Sequence, residues 1–223
     1  MNFYDFFLTP YEGYSSLQIA LESIGSIFGL LSVYFSTKKN IWVYPTGIIS
    51  TVIYVYLLFN AGLLGDMMIN FYYTVMSIYG WALWSKNTTD HIHIQPSYTT
   101  KKEWQFCLGL FILSLVLVGI IYYFKPYIDH HFSMDGVSLG WYHLDWTNYV
   151  DIITTAIFLV GMWLMAKQKV ENWLFWIIGD LISVPMYLYK GLAITSIQYA
   201  IFTVLATIGF LKWQQGMKRS KLQ

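Results

Sequence analysis

Residues 106–124 read FCLGLFILSLVLVGIIYYF, and no acidic or basic side chain interrupts them. Cys107, Ser114 and two terminal tyrosines carry the only polar side-chain groups in this stretch. A helix needs about 20 consecutive, mostly apolar residues to cross the hydrocarbon core of a bilayer. The stretch therefore predicts a membrane-spanning helix that offers little to a hydrophilic ligand.

Six further segments of similar length and character flank this one. Three of them contain one acidic residue each, Glu22, Asp151 or Asp180, and the other three contain no charged residue. Together the segments predict an all-α membrane protein with seven transmembrane helices, at 17–35, 41–59, 67–84, 106–124, 147–166, 173–189 and 194–211.

The composition of the whole chain agrees with this class. Of its 223 residues, 57% are hydrophobic and only 11% are charged, and the mean hydropathy is +0.49. Soluble domains carry roughly 25% charged residues, so the composition excludes a water-soluble globule and a disordered chain. A net charge of +1 argues against a nucleic-acid partner. The single cysteine, Cys107, excludes a framework of disulfides.

Basic residues predict the orientation, because they concentrate on the cytoplasmic side of membrane proteins. If the N-terminus is outside, only Lys125 and Lys190 fall on the outer side. We therefore predict an external N-terminus and a cytoplasmic C-terminus. The residues on the inner side would be Lys38, Lys39, Lys86, Lys101, Lys102, Lys167, Lys169, Lys212, Lys218, Arg219 and Lys221.

The chain also resembles itself. Gly29, Asn40 and Gly47 recur 132 positions later, and after a three-residue gap Gly62, Gly80 and Trp84 recur as Gly191, Gly209 and Trp213. Spans one to three thus resemble spans five to seven, and span four restores their orientation, so the repeats are parallel. This 3+1+3 arrangement with a linker helix is a transporter plan that holds its substrate between the repeats.

The repeat divides the chain into seven parts. They are an N-terminal interfacial segment (1–16), a first three-helix repeat (17–86), a cytoplasmic loop (87–104), a linker helix (105–125), an outer loop (126–146), a second three-helix repeat (147–214) and a cytoplasmic basic tail (215–223). The five histidines fall in the two loops, where we interpret them as solvated residues. No metal site or cofactor is predicted.

Polar and aromatic side chains recur at steps of three and four along the predicted repeat helices, which places each set on one helix face. Small and polar residues also hold membrane helices together, which is the alternative interpretation. An ionisable group in hydrocarbon costs at least about 2.5 kcal/mol, which favours a cavity or a partner for it. The candidate substrate-binding residues are Trp173, Trp176, Asp180, Gln198, Asn70, Tyr73, Glu22, Asn148 and Tyr187.

Helix capping is the alternative role for Asn148, because it lies near a predicted helix start. Interfacial anchoring is the alternative role for Trp173. Aromatic faces with carboxylate and amide groups suit a cationic ring that carries a sugar. The span interiors contain no basic residue, which argues against phosphorylated substrates. They also contain no apparent catalytic motif, so we do not expect an enzyme.

Trp173-Leu-Phe-Trp176-Ile-Ile-Gly-Asp180 resembles the WxxWxxx[N/D] signature of the PnuC vitamin transporters. The surrounding KKNIWVYPTGIISTVIYVYLLFNAGLLGD, YGWALW and SIQYAIFTVLATIGFLKW are also similar to that family. Only Trp173, Trp176 and Asp180 are carried over from the signature. The other six candidates come from their positions on the helix faces.

The resemblance implies a bacterial inner-membrane transporter for nicotinamide riboside, with an architecture similar to SWEET sugar transporters. It implies facilitated diffusion, trapping of the substrate by a cytoplasmic riboside kinase, and a homotrimer. Family relatives carry thiamine or riboflavin, so another vitamin stays open, and so does proton-coupled uptake through Glu22 or Asp180.

Overall fold

The computed structural model describes residues 15–60, 64–85, 96–130, 132–189 and 193–220. Within these ranges the chain forms eight helices. We label the seven long ones α1–α7, and a five-residue helix, Lys125–Asp129, follows α4. The long helices are Ser16–Thr37 (α1), Val43–Asn60 (α2), Leu64–Ser85 (α3), Lys101–Tyr123 (α4), Trp146–Ala166 (α5), Asn172–Tyr189 (α6) and Ala193–Ser220 (α7).

Some predicted features fall outside these ranges. They include His91, His93 and His131, and the interfacial segment at 1–16 except for its last two residues. Two helices extend beyond the bounds set from the sequence. The linker helix α4 begins at Lys101 rather than at 105, and α7 continues to Ser220 through most of the predicted tail.

Three of the long helices begin with a capping box, in which a side chain bonds the backbone three residues on and is bonded in return. Ser15 caps α1 with Gln18, Thr100 caps α4 with Glu103, and Asp145 caps α5. The box at Thr100 explains the early start of α4. It satisfies amide groups that a helix end leaves without intrahelical partners.

Five helices are long and apolar enough to cross a membrane: α1, α2, α4, α5 and the 196–218 part of α7. The other two predicted spans, α3 and α6, are not among these five, although both expose apolar side chains, such as Ile78 on α3 and Leu181 on α6. On α4, the side chains of Leu108, Leu113 and Val116 are more than half exposed. Exposed apolar faces of this kind are typical of a helix that contacts lipid.

The helices pack as two groups. In the N-terminal bundle α1 packs on α2 and α2 on α3, and in the C-terminal bundle α5 packs on α6 and α6 on α7. The bundles meet through α1 with α7 and through α3 with α5, and α4 packs against α5. If α1, α2 and α3 correspond to α5, α6 and α7, the contact of α1 with α7 corresponds to that of α5 with α3. The two contacts are then equivalent, as they would be about an approximate twofold axis.

The first turn of each bundle has the same backbone conformation. Lys39 and Gln168 both adopt left-handed φ values, of 56° and 59°. The next amide then bonds back to the helix that ends there, Asn40 to the Phe35 carbonyl at 3.0 Å and Lys169 to that of Leu164 at 2.9 Å. These turns match at a separation of 129 residues, which is also the separation of Ser36 and Met165, whose side chains meet between the bundles. The same separation of 129 residues relates Gly80 to Gly209 and Trp84 to Trp213 in the sequence.

The segment before α4 is bound to the turn between α5 and α6. Ser97 and Lys169 form an isolated parallel bridge. The amide and hydroxyl of Thr99 donate to the Glu171 carboxylate at 2.8–3.1 Å. Lys169 also pairs with Glu103 at 3.0 Å. These bonds hold the start of the linker helix to the C-terminal bundle.

Candidate functional site

A cavity of about 210 Å³ lies between the two bundles. All six helices of the bundles line it, and α4 contributes no lining residue. An apolar cavity of about 150 Å³ already holds a benzene ring, so this one has room for a small ring compound. The space between the bundles is therefore the candidate binding site.

The C-terminal bundle gives the cavity an aromatic side. Phe158 and Trp176 stack with ring centroids 5.5 Å apart and an interplanar angle of 26°. Tyr73, which reaches across from α3, lies 6.4 Å from Trp176 between ring centroids. Tyr199 lies 6.1 Å from Phe158 and stacks on Tyr187 at 5.0 Å. Such faces attract flat and cationic rings.

Asp180 is the acidic residue of the lining. It lies at the midpoint of the 18-residue helix α6, and only 3% of its surface is exposed. No described residue donates a hydrogen bond to its carboxylate or forms an ion pair with it. A buried carboxylate without a partner is costly, so it marks a place where a ligand can supply the missing donors.

The N-terminal bundle gives the cavity a side of small and hydroxyl residues. Ser32 donates to the Val43 carbonyl at 2.7 Å, and Ser50 donates to that of Gly25 at 2.7 Å. The Oγ of Ser32 also lies 3.0 Å from where a Cβ on Gly47 would stand. A larger residue at 47 would thus press on the serine that joins α1 to α2. The other lining residues on this side are Gly29, Val33, Ser36, Val43, Thr51 and Ser77.

The lining positions of the two bundles match at the same 129-residue offset that relates the turns. Seven such pairs line the cavity, so the cavity lies on the approximate twofold axis. The residues within a pair differ in size and chemistry, which makes the cavity asymmetric. The pairs are Gly29 with Phe158, Val33 with Met162, Ser36 with Met165, Gly47 with Trp176, Thr51 with Asp180, Tyr73 with Phe202, and Ser77 with Ala206.

Four buried aromatic residues close one end of the cavity, and we call Tyr44, Trp84, Trp173 and Trp213 the aromatic cluster. Tyr44 contacts Trp84 at 4.7 Å between centroids, and Trp213 contacts Trp84 at 6.1 Å and Trp173 at 5.6 Å. Each is at most 2% exposed. This is the end that the basic residues predict to be cytoplasmic.

Two indole groups of the aromatic cluster bond across the bundle interface. Trp84 on α3 donates to the Ala166 carbonyl of α5 at 3.2 Å. Trp213 on α7 donates to the Ser36 carbonyl of α1 at 3.0 Å. The two tryptophans are one of the repeated pairs, so each bundle holds the end of the other in the same way.

The structure brings four of the nine candidate residues together in the lining: Trp173, Trp176, Asp180 and Tyr73. Tyr187 lies behind them, stacked on Tyr199. Asn148 forms the capping box of α5 with Asp145, at 3.0–3.1 Å, which is the alternative role considered for it. Glu22, Asn70 and Gln198 are on bundle helices but outside the lining.

Several lining residues were absent from the candidates. Phe158 and Tyr199 carry the aromatic stacking, and Met162 and Met165 fill the space between them and the turns. Among the hydroxyl residues of the N-terminal bundle, Ser32 and Ser77 were interpreted as packing residues. The repeat was a signal that could have found some of the lining, because Phe158, Met162 and Met165 are each 129 residues from another lining residue.

Among the residues that the structure describes, no lysine, arginine or histidine lines the cavity. Within the described ranges there is also no group of three acidic, cysteine or histidine residues that could hold a metal ion. The chemistry of the cavity is thus aromatic contact, hydroxyl groups and one carboxylate.

Comparison with known proteins gives agreeing matches over nearly the whole chain. A family model described as nicotinamide mononucleotide transporter matches residues 19–215. The chain is 25% identical over 201 residues to the nicotinamide riboside transporter PnuC of Escherichia coli (strain K12), across 86% of this chain and 84% of that protein. It is 22% identical over 205 residues to the riboflavin/roseoflavin transporter RibM of Streptomyces davaonensis, across 89% and 86%.

One solved structure shares the fold. The crystal structure of the vitamin B3 transporter PnuC superposes with a TM-score of 0.65 at 20% identity, covering 93% of this chain and 94% of that one. The likeness at this identity concerns the arrangement of the helices.

Proposed function

Because the chain belongs to the nicotinamide mononucleotide transporter family, we propose that it carries nicotinamide riboside across the bacterial inner membrane. The relatives that match it over most of their length are named as vitamin transporters, which are not enzymes. The observation that carries the choice of substrate is the lining of the cavity. It combines an aromatic side with one unpartnered carboxylate, Asp180, and contains no basic residue.

This lining favours the riboside over its phosphorylated form. A pyridinium ring is flat and cationic, and the stacked pair Phe158 and Trp176 suits it. Ribose hydroxyls are donors that Asp180 can accept. A phosphate would bring negative charge next to this carboxylate with no lysine or arginine to pair with it. Nicotinamide riboside is the form of the nucleoside that avoids this cost.

We propose the 3+1+3 architecture for the chain, with seven transmembrane helices, an external N-terminus and a cytoplasmic C-terminus. The equivalent turns at Lys39 and Gln168 support two parallel repeats. The seven matched pairs of lining residues support them as well. On α3 and α6, Tyr73 and Asp180 line the cavity while Ile78 and Leu181 are more than half exposed, which fits helices with one face toward a cavity and another toward lipid.

Transport would proceed by facilitated diffusion with alternating access. The aromatic cluster closes the end of the cavity that we assign to the cytoplasm, so the riboside would leave there only after the bundles separate. Separation must break the bonds from Trp84 to Ala166 and from Trp213 to Ser36. A cytoplasmic riboside kinase would then phosphorylate the substrate and prevent its return.

Two alternatives keep the same fold. Thiamine is also a cationic ring compound, and RibM is named for riboflavin, so the vitamin could differ. Proton-coupled uptake would use Asp180 or Glu22, which are acidic residues within helices of the bundles. The homotrimer implied by the family resemblance is a further proposal, which the mass of the detergent-solubilised protein would test.

Calorimetry on the purified, detergent-solubilised protein tests the substrate. We expect saturable binding of nicotinamide riboside and none of nicotinamide mononucleotide. Thiamine and riboflavin are titrated in parallel. Binding of the mononucleotide as tight as that of the riboside would contradict the electrostatic reasoning. Binding of thiamine or riboflavin alone would keep the fold and replace the substrate.

Uptake into proteoliposomes tests the mechanism. Facilitated diffusion predicts that radiolabelled riboside enters until the inside and outside concentrations are equal. Enclosing a riboside kinase with ATP should make accumulation continue past that point. A pH gradient imposed without the kinase should change nothing, and accumulation driven by it would establish proton coupling instead.

A further inference from the structure

Five serine and threonine residues line the cavity from the N-terminal bundle, and four of them donate within the protein. Ser32 and Ser50 donate to backbone carbonyls at 2.7 Å. Thr51 donates to the Gly47 carbonyl at 3.0 Å, and Ser36 donates to the sulfur of Met165 at 3.6 Å. These four hydroxyls have structural partners and are not available as donors to a ligand.

Ser77 is the fifth, and its hydroxyl differs from the others. It is 4% exposed, it lines the cavity, and it forms no hydrogen bond with any described residue. A serine within a helix commonly bonds to a carbonyl one turn earlier. A hydroxyl that faces a cavity without a partner in the protein can donate to a molecule that fills the cavity.

The repeat shows that the fold does not need this hydroxyl. The matched position in the C-terminal bundle is Ala206, which is 2% exposed and lines the same cavity. An alanine therefore fits this place on the helix and packs there. The hydroxyl of Ser77 is an addition to the packing, on α3 one turn from the lining residue Tyr73.

Resting on the proposed function, we propose that Ser77 determines specificity by donating a hydrogen bond to a ribose hydroxyl of the substrate. The flat ring would pack against Phe158 and Trp176, which directs the sugar toward the N-terminal bundle. Asp180, one turn from Trp176 on α6, accepts from the sugar, and Ser77 on α3 donates to it. A vicinal diol, in which each hydroxyl both donates and accepts, satisfies this donor and this acceptor together.

The experiment measures the affinity of the full-length protein for nicotinamide riboside by calorimetry, with wild type and Ser77→Ala. A neutral hydrogen bond is worth about 0.5–1.5 kcal/mol, so we expect affinity to fall roughly threefold to tenfold. The same variants are titrated with the 2′-deoxy and 3′-deoxy ribosides. Against the analogue that lacks the bonded hydroxyl, wild type and Ser77→Ala should bind equally.

Ser114→Ala is the matched control. Ser114 is also a buried serine whose oxygen has no partner, but it lies on α4 and does not line the cavity. Its replacement should leave affinity for the riboside unchanged. Melting curves of both variants without ligand should be similar to that of the wild type, since Ala206 shows that alanine packs at the matched site.

The outcomes separate the two proposals. If wild type binds the riboside and Ser77→Ala binds it equally well, the role of Ser77 is refuted and the proposed function stands. If Ser77→Ala weakens the riboside and both deoxy analogues by the same factor, the residue acts through cavity shape and the hydrogen bond is refuted. If wild type does not bind the riboside, the proposed function is refuted, and the role of Ser77 with it.

Discussion

Replacing Asp180 with an apolar residue should stabilise the ligand-free protein and lower its affinity for the substrate. The carboxylate is 3% exposed and has no partner among the described residues, so in the ligand-free protein no interaction offsets the free-energy cost of its desolvation. In the complex the same group would accept hydrogen bonds from the substrate. We therefore predict that Asp180→Leu, which has the same branched shape but is larger and apolar, raises stability and lowers affinity together.

The expected changes in stability and affinity follow from the free energies of an unpartnered buried group and of a hydrogen bond to a charged group. A buried polar group without a partner costs about 1–3 kcal/mol, and more when it is charged. In a protein of this length each kcal/mol shifts the melting temperature by about 2–4 °C. A hydrogen bond to a charged group contributes about 1.5–3 kcal/mol, which corresponds to a loss of affinity of about tenfold to a hundredfold.

Asp180→Asn separates hydrogen bonding from charge. The signature accepts Asn at this position, and its amide oxygen remains an acceptor. We expect it to lose only a few-fold in affinity and to gain part of the stability. Ser183→Ala is the matched control, because Ser183 is one turn along α6, is 1% exposed and has an unpartnered oxygen, but does not line the cavity.

The assay is thermal unfolding in detergent with and without a saturating concentration of nicotinamide riboside, followed by calorimetric titration. Wild type should show a ligand-dependent rise in melting temperature, because a ligand that binds only the folded state stabilises it. Asp180→Leu should begin from a higher temperature and gain little from the ligand. A variant that binds the riboside as tightly as wild type, or one that melts lower without ligand, would refute this account of Asp180.

Three further predictions concern packing, closure and ring binding. Gly80→Ala should destabilise the protein by several kcal/mol, since its Cβ would stand 2.4 Å from the Tyr44 ring, whereas Gly109→Ala has open space and should be neutral or slightly stabilising in the same melting assay. Trp84→Phe with Trp213→Phe removes the two indole hydrogen bonds between the bundles, at about 1 kcal/mol each, and should increase labelling of a cysteine placed behind the aromatic cluster; unchanged labelling would mean that these bonds do not hold the end closed. Trp176→Ala should weaken riboside binding at least tenfold in calorimetry while leaving the protein folded, and equal affinity would exclude the aromatic contact.

The sequence predicted which helix faces line the cavity, but it did not predict which positions along each helix axis reach it. Spacing at three and four placed Trp173, Trp176 and Asp180 on one face of α6, and they line the cavity. The same rule selected Glu22, on the same stripe as Gly29 in α1. At a rise of 1.5 Å per residue, Glu22 stands about 10 Å further toward the start of the helix than the lining residue Gly29. Periodicity contains no information on where along the axis a cavity begins.

The same limit applies to α7. Gln198 was the candidate from the sequence, whereas Tyr199 and Phe202 are in the lining. Residues 198 and 202 are about one turn apart and lie on similar faces of the helix, so they differ mainly in depth along its axis. A role of Gln198 in substrate binding stays a prediction.

The bonds that join Ser97 and Thr99 to Lys169 and Glu171 change how the molecule divides mechanically. By sequence the chain divides as three helices, one and three. By contact and hydrogen bonding, α4 belongs with the three helices that follow it, so the rigid bodies consist of three helices and four. A motion that opens the cavity would therefore displace the three helices of the N-terminal bundle relative to a larger unit of four helices. Because the exposed face of α4 contacts lipid, the drag of the lipid would be greater on the four-helix unit, and the N-terminal bundle would undergo most of the displacement.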